Sequence, residues 1–318
     1  MKLKTLYELV IKQGMEVDPR GKEEVLKLLE RAKKEYNSLK EEEKKKFDVE
    51  KLHNPYADTR ILNGDPQREI KTILAGIDME VGEVLLADRL REKGKKIDLI
   101  MSHHPEGMAL AGFYEVMRMQ ADILNKWGVP ITVAEDLLGE RIKEVERRVL
   151  PLNHTRAVDV AKLLDLAFIC VHTPADNCVT SFLQKLIDKK KPEFLGDIID
   201  LLLEIPEYQW AQKNNAGPKI LIGDKNKKAG KIFVEMTGGT EGSKEIFNRL
   251  SQAGIGTLVS MHLSEEHFKK AKEEHINVII AGHIASDSLG LNLILDVLEK
   301  KEKFEIITCS GFQRVRHS

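Results

Sequence analysis

The spacing of apolar residues along this chain changes several times, and each change marks an element. Residues 5 to 13 read as a short helix that stops at Gly14. From Lys22 to about Lys46, Val25, Leu28, Leu29, Ala32, Tyr36 and Leu39 recur at helical spacing opposite a face rich in Lys and Glu. A turn-rich stretch from Asn54-Pro55 to Asn63-Gly64-Asp65-Pro66 separates this segment from the rest. Beyond it, short apolar runs alternate with helical patterns. Strands are expected at 72–77, 99–101, 131–134, 168–171, 219–222, 232–235, 257–259, 278–281 and 304–307. Helices are expected at 81–93, 113–126, 157–164, 244–253, 265–274 and 291–301, and Gly223 to Lys228 reads as a hairpin-like turn. This alternation predicts an α/β protein with largely parallel or mixed sheets.

Composition narrows the class. At 318 residues the chain is long enough for two lobes, and 42% apolar content predicts a globular protein. A formal net charge of −1 argues against strong, non-specific nucleic-acid binding. The 32% of charged residues, mostly Lys and Glu, fits a thermophile-like surface. Lys40 to Lys46 is a dense charge block that reads as a solvated helix face, with a partner-binding arm as the sharper alternative. The three cysteines, Cys170, Cys178 and Cys309, form no CxxC pair, which points to a reducing compartment. No apolar signal core follows Met1, and no apolar run approaches the roughly 18 residues of a membrane span. A cytoplasmic protein with no membrane partner is expected.

The candidate chemistry sits at strand ends. His103-His104-Pro105 closes the run Ile97 to Ser102. Two further apolar runs end in a histidine with a carboxylate four residues on: His172 with Asp176, and His283 with Asp287. Imidazoles and carboxylates are the usual ligands of zinc, iron, manganese and cobalt, and this mixed set disfavours calcium. Within a regular strand His103 and His104 would face opposite ways. Pro105 ends the ladder, so a twist there lets both rings address nearby ions; a pair of loop histidines is the bland alternative. Asp176 suits either a ligand or the N-cap of a helix running through Phe182 to Asp188. His283 and Asp287 share one face if the helix has already begun; otherwise Asp287 or Ser288 is a cap. Together these groups suit a pair of divalent ions, which lower the pKa of bound water from about 15.7 toward 7. His267 and His262 are candidate acid/base or supporting groups. Thr237 to Ser243 reads as an anion cradle or as a plain tight turn. Asp98–His104 and Asn277–His283 form a short internal echo, each delivering histidine where open α/β sheets place ligands.

These residues together resemble the Ngg-interacting-factor-three-like family, the GTP cyclohydrolase 1 type 2 homologues. The match opens at Asp58 to Pro66 and passes through Ile73 to Asp78 and Ser102-His103-His104-Pro105. It continues with His172-Thr173-Pro174-Ala175-Asp176 and closes with Gly282-His283-Ile284-Ala285-Ser286-Asp287, covering about 56–312. The resemblance implies two intertwined α/β lobes with mixed sheets, a dinuclear metal centre between them and a toroidal homohexamer. On it, His103, His104, Asp176, His283 and Asp287 match the metal ligands, and His172 a further site histidine. Three departures stand out: Asp287 where Glu is usual, Glu106 after Pro105, and a longer charged helical segment before the match. The expected organisation is a helical extension over 1–55, a first lobe over 56–165 and a second over 166–318. The expected function is metal-dependent hydrolysis of a nucleotide or related small molecule using two divalent ions, zinc, iron or manganese, with His172 or His267 moving protons. The alternative is a non-catalytic metal-binding scaffold or regulatory interaction protein.

Overall fold

Two mixed sheets organise the computed structural model, which describes residues 1–317. In chain order the strands are β1 (Arg60–Asn63), β2 (Thr72–Gly76), β3 (Leu99–Ser102), β4 (Ala167–Cys170), β5 (Lys219–Ile222), β6 (Lys231–Glu235), β7 (Ile255–Ser260), β8 (Asn277–Ile280) and β9 (Glu305–Thr308). One sheet runs β1-β4-β3-β2-β9 and the other β5-β8-β7-β6. Each is parallel except for one antiparallel edge, β1 on β4 and β5 on β8. All residues of β2, β3 and β4 are buried, which is why they read as unbroken apolar runs. The first sheet takes β4 and β9 from beyond residue 165, so the expected boundary between lobes cuts through it.

The structure pairs the internal echo differently from the sequence. β8 holds the place in its sheet that β4 holds in the other, beside the antiparallel edge and with a register shift at the same point. His283 and Asp287 therefore echo His172 and Asp176. In the same way Ser260 Oγ donates to the His262 carbonyl as Ser102 Oγ donates to that of His104.

Helices Thr173–Lys190 and His283–Glu299 leave β4 and β8 and pack on one another. Gly290 permits that packing: a Cβ there would sit 2.5 Å from the Ala175 carbonyl oxygen. Gly282 turns the chain into its helix at φ 118°, where a side chain would also meet the Ala216 carbonyl. Against this pair lies helix Leu3–Glu16, which continues through Gly14 and buries Leu3, Leu6, Tyr7, Val10 and Ile11. Hydrophobic contact thus ties the first helix of the expected extension into the core. Farther on, helix Lys22–Ser38 ends before the charge block, which resumes as the short helix Glu41–Lys44. Its ion pairs Lys44–Glu41 and Lys45–Glu42 are solvent-facing and stabilise little.

Several local expectations change. Residues 131–134 open helix Ile131–Val149, not a strand. The β-branched start misleads, but Ala134, Leu138, Ile142, Val145 and Val149 form one buried stripe, and tertiary burial overrides propensity. The turn at 223–228 joins strands on opposite edges of a sheet, so it closes no hairpin. The last long helix begins at His283, eight residues before position 291. Helices Leu195–Leu202 and Pro206–Lys213 and strand β1 had no sequence expectation.

Candidate metal centre

The strand ends bring six of the candidate residues together. His103 Nε2 lies 3.4 Å from Asp176 Oδ1 and 3.3 Å from Asp287 Oδ1. His104 Nε2 is 3.4 Å from Asp287 Oδ2, and His283 Nε2 is 3.6 Å from the same oxygen. His172 Nε2 stands 3.7 Å from Asp176 Oδ2. Both His/Asp pairs lie four apart on helices, so the backbone alone sets them on one face. Asp176 is an interior residue of its helix, and His172 occupies the N-cap position. Asp287 is likewise inside its helix.

Each inner imidazole is oriented from behind. His103 Nδ1 lies 3.1 Å from the Val171 carbonyl, an acceptor, so that nitrogen carries a proton and Nε2 is the one that a neutral ring would offer to a cation. His104 Nδ1 is 2.6 Å from Asp78 Oδ1, and His172 Nδ1 is 2.7 Å from Asp58 Oδ2. This is the arrangement that fixes tautomer and raises basicity in metal-binding histidines. Asp58 is fully buried and also accepts from the Thr173 hydroxyl at 2.6 Å. Asp58 and Asp78 were visible only as parts of the family-like segments; their partners lie too far along the chain for spacing to reveal.

The cluster fits a cation. His103 Nε2, Asp176 Oδ1 and both Asp287 oxygens are buried without a hydrogen-bond partner. Leaving such a group unsatisfied costs about 1–3 kcal/mol each, and more when charged. The 3.3–3.4 Å separations are longer than the roughly 2.7–2.9 Å of a charge-assisted hydrogen bond, as expected of ligands that face a common centre. Two groupings meet the geometry for an ion: His103, His172 and Asp176, and His103, His104 and Asp287. One imidazole nitrogen has one lone pair, so His103 serves one ion at a time. A carboxylate has two oxygens, and Asp287 directs one to His103 and the other to His104 and His283.

Charge follows the same logic. Burial alone would lower the His103 pKa, yet the nearby Asp287 and Asp176 charges hold it well above its ordinary range. Burial also opposes the charged form of His104, but Asp287 and Asp78 keep it at about 9. Burial would raise Asp287; the positive His103 beside it, then His104 and His283, pull it far below the carboxylate range. His283 is lowered by burial despite Asp287, with His262, His104 and His103 adding repulsion. Its side chain is 40% exposed, which places it at the mouth.

A cavity beside the cluster is lined by His172, Asp176, His262, His283 and Asp287 and by the loop Thr237 to Ser243. His267 also lines it, but both ring nitrogens are engaged: Nδ1 with Ser264 Oγ at 2.7 Å and Nε2 with the Gly242 carbonyl at 3.0 Å. It braces the loop, which fits the supporting one of the two roles expected for it. Glu241, which contacts both His262 and His267, is held at about 2: burial would raise it, but those histidines and Ser264 prevail. Glu235 was overlooked in the sequence. Burial, then repulsion from Glu241, pushes its carboxyl up to about 7. Glu106, half-buried after Pro105, is raised to about 7 by burial and by Glu80.

Fold and site together define an α/β protein with a buried His/Asp cluster that could hold a metal ion. Among solved structures, the NIF3 superfamily protein from Sphaerobacter thermophilus superposes with a TM-score of 0.69 and 27% identity, covering 80% of this chain and 91% of that one. In fold and in sequence the chain is similar to that NIF3 superfamily protein. Reduced HcgD from Methanocaldococcus jannaschii shares the fold at a TM-score of 0.51 and 16% identity, covering 85% of this chain and 97% of that one. A scan against family models and a search of curated proteins each found no match. Among the described residues, no helix is long and apolar enough to cross a membrane.

Proposed function

We propose that this protein is a metal-dependent hydrolase acting on a nucleotide or related small molecule at a two-cation centre. The observation that carries the reading is the convergence of His103, His104 and His172, each with Nδ1 held from behind, on two buried carboxylates that lack other partners. One side would use His172 and Asp176, the other His104, His283 and Asp287, with His103 completing either. Zinc, iron or manganese bound there supplies Lewis acidity and a more acidic water. The chain's own contribution is to orient the imidazoles, exclude solvent from Asp176 and Asp287, and present a cavity on the open side. Glu235 is a further proton-handling candidate in that cavity, because among the described residues no side-chain hydrogen bond engages it and burial raises its carboxyl to about 7.

The test is metal analysis of native protein beside a nucleotide-hydrolysis panel, with His103→Ala as the control. Metal-dependent turnover that His103→Ala abolishes supports hydrolysis. Full metal occupancy with no turnover across metals and nucleotides favours a metal-binding scaffold or carrier, for which the exposed edge of His283 offers a route for ions. A cytoplasmic homohexamer belongs to the same proposal. Light scattering on the full chain tests the assembly, and exposed Leu163, Leu150 and Leu152 are apolar surface for it to cover.

A further inference from the structure

A second cavity of about 360 Å³ shares Glu235 and Thr237 with the cavity at the metal cluster. That volume is in the range, about 300–1,000 Å³, that holds small organic ligands. Ile123, Leu124, Trp127, Phe233 and Val234 give it apolar walls, and the Trp127 and Phe233 rings pack with centroids 4.8 Å apart. Flat apolar walls of this kind suit a planar ring.

Its polar atoms discriminate further. Gln120 spends Nε2 on the Gly238 and Thr240 carbonyls at 2.7 Å each, and among the described residues no donor hydrogen-bonds to its Oε1. Gln184 is engaged at both ends, accepting from Val234 N and donating to Asp188. Thr237 donates its hydroxyl to Asn177. What remains among the described residues is the Glu235 carboxyl and Gln120 Oε1 as acceptors, with the Thr180 and Ser181 hydroxyls and the Lys185 ammonium as donors. A matching ligand brings N–H donors to the carboxyl and ring or carbonyl acceptors to the hydroxyls. Among the described residues lining the two cavities, Lys185 is the one Lys or Arg, so the protein offers little charge to neutralise a polyphosphate.

We propose that this cavity binds an uncharged, amino-bearing heteroaromatic ring, with its N–H edge on Glu235 and the rest of the molecule reaching toward the metal cluster. The direction of that reach rests on the hydrolase reading above; the ring preference does not. A nucleobase or nucleoside has this chemistry, whereas a nucleoside triphosphate exceeds the charge the walls can meet.

Trp127 reports occupancy directly. With Trp210→Phe it is the sole tryptophan of the two in the chain. Adenosine, guanosine and cytidine are titrated against its fluorescence, with caffeine as a ring lacking N–H donors, ribose as a sugar without a ring base, and GTP as the charged form. Each titration is run on metal-loaded and chelator-treated protein. Saturable quenching by the three nucleosides but not by caffeine or ribose is expected. Glu235→Gln should weaken it about tenfold, and Ser181→Phe, which fills the cavity from a half-buried helix position, should abolish it. Both variants should keep their metal content, which shows that they fold. Absence of quenching, equal response to caffeine, or GTP binding more than tenfold tighter than guanosine to chelator-treated protein overturns the proposal. Those failures leave metal-dependent turnover untouched, and loss of turnover or metal leaves the ring titration standing.

Discussion

Asp58 and His172 are 114 residues apart in the chain, and their side chains meet at 2.7 Å in the core. The contact aims His172 Nε2 at the cluster and fixes the proton on Nδ1. Partners of this kind typically contribute 10–100-fold to metal affinity. Asp58→Ala is therefore expected to weaken cation binding by about that factor, read by chelator competition, while circular dichroism stays native. Unchanged affinity would remove the orienting role assigned to Asp58.

Gly290 sets the distance between the two helices that carry Asp176 and Asp287. An Ala there gains about 1 kcal/mol in helix propensity. It also drives a Cβ to 2.5 Å from the Ala175 carbonyl, and overpacking costs about 1–3 kcal/mol. The clash wins because the neighbour is backbone and cannot swing aside. Gly290→Ala should lower the urea midpoint and reduce metal affinity together. A stable variant with full affinity would show that the helices approach less closely than described.

On the proposed metal centre, protons and cations compete for the same nitrogens. In chelated protein the folded-state pKa of His104 lies at about 9, above its ordinary 6.5. The resulting stabilisation is complete below about pH 6.5 and is lost as pH rises through about 9. Thermal unfolding of chelated protein should therefore shift down over this window. Metal-loaded protein should show the opposite slope, since binding requires the neutral ring and releases protons. Parallel curves for the two forms would contradict the shared site.

The candidate metal ligands were legible because buried parallel strands read as apolar runs and their ends expose whatever follows. His103, His172 and His283 each stand within three residues of such an end. Their assembly was a different matter. Nothing local indicates that Asp78 lies behind His104, or that Glu235 on β6 faces the same cavity as Asp287 on another element. His267 looked catalytic because it opens a helix at a strand end, yet the Ser264 cap and the Gly242 carbonyl occupy it. The strand expected at 131–134 failed through its β-branched residues, although the stripe from Ala134 to Val149 already carried helical spacing.

Glu235 provides a test of proton handling separate from ring binding. With its carboxyl raised to about 7, turnover at saturating substrate should rise or fall across neutral pH, and Glu235→Gln should flatten that limb. An unchanged profile in the variant would assign the titration elsewhere.

Anomalous diffraction from crystals grown with manganese or zinc addresses the central arrangement most directly. Two peaks are predicted, one touching His172 and Asp176 and one touching His104, His283 and Asp287, with His103 bound to one of them. Density with no peak inside this group of side chains, at full metal concentration, would contradict it.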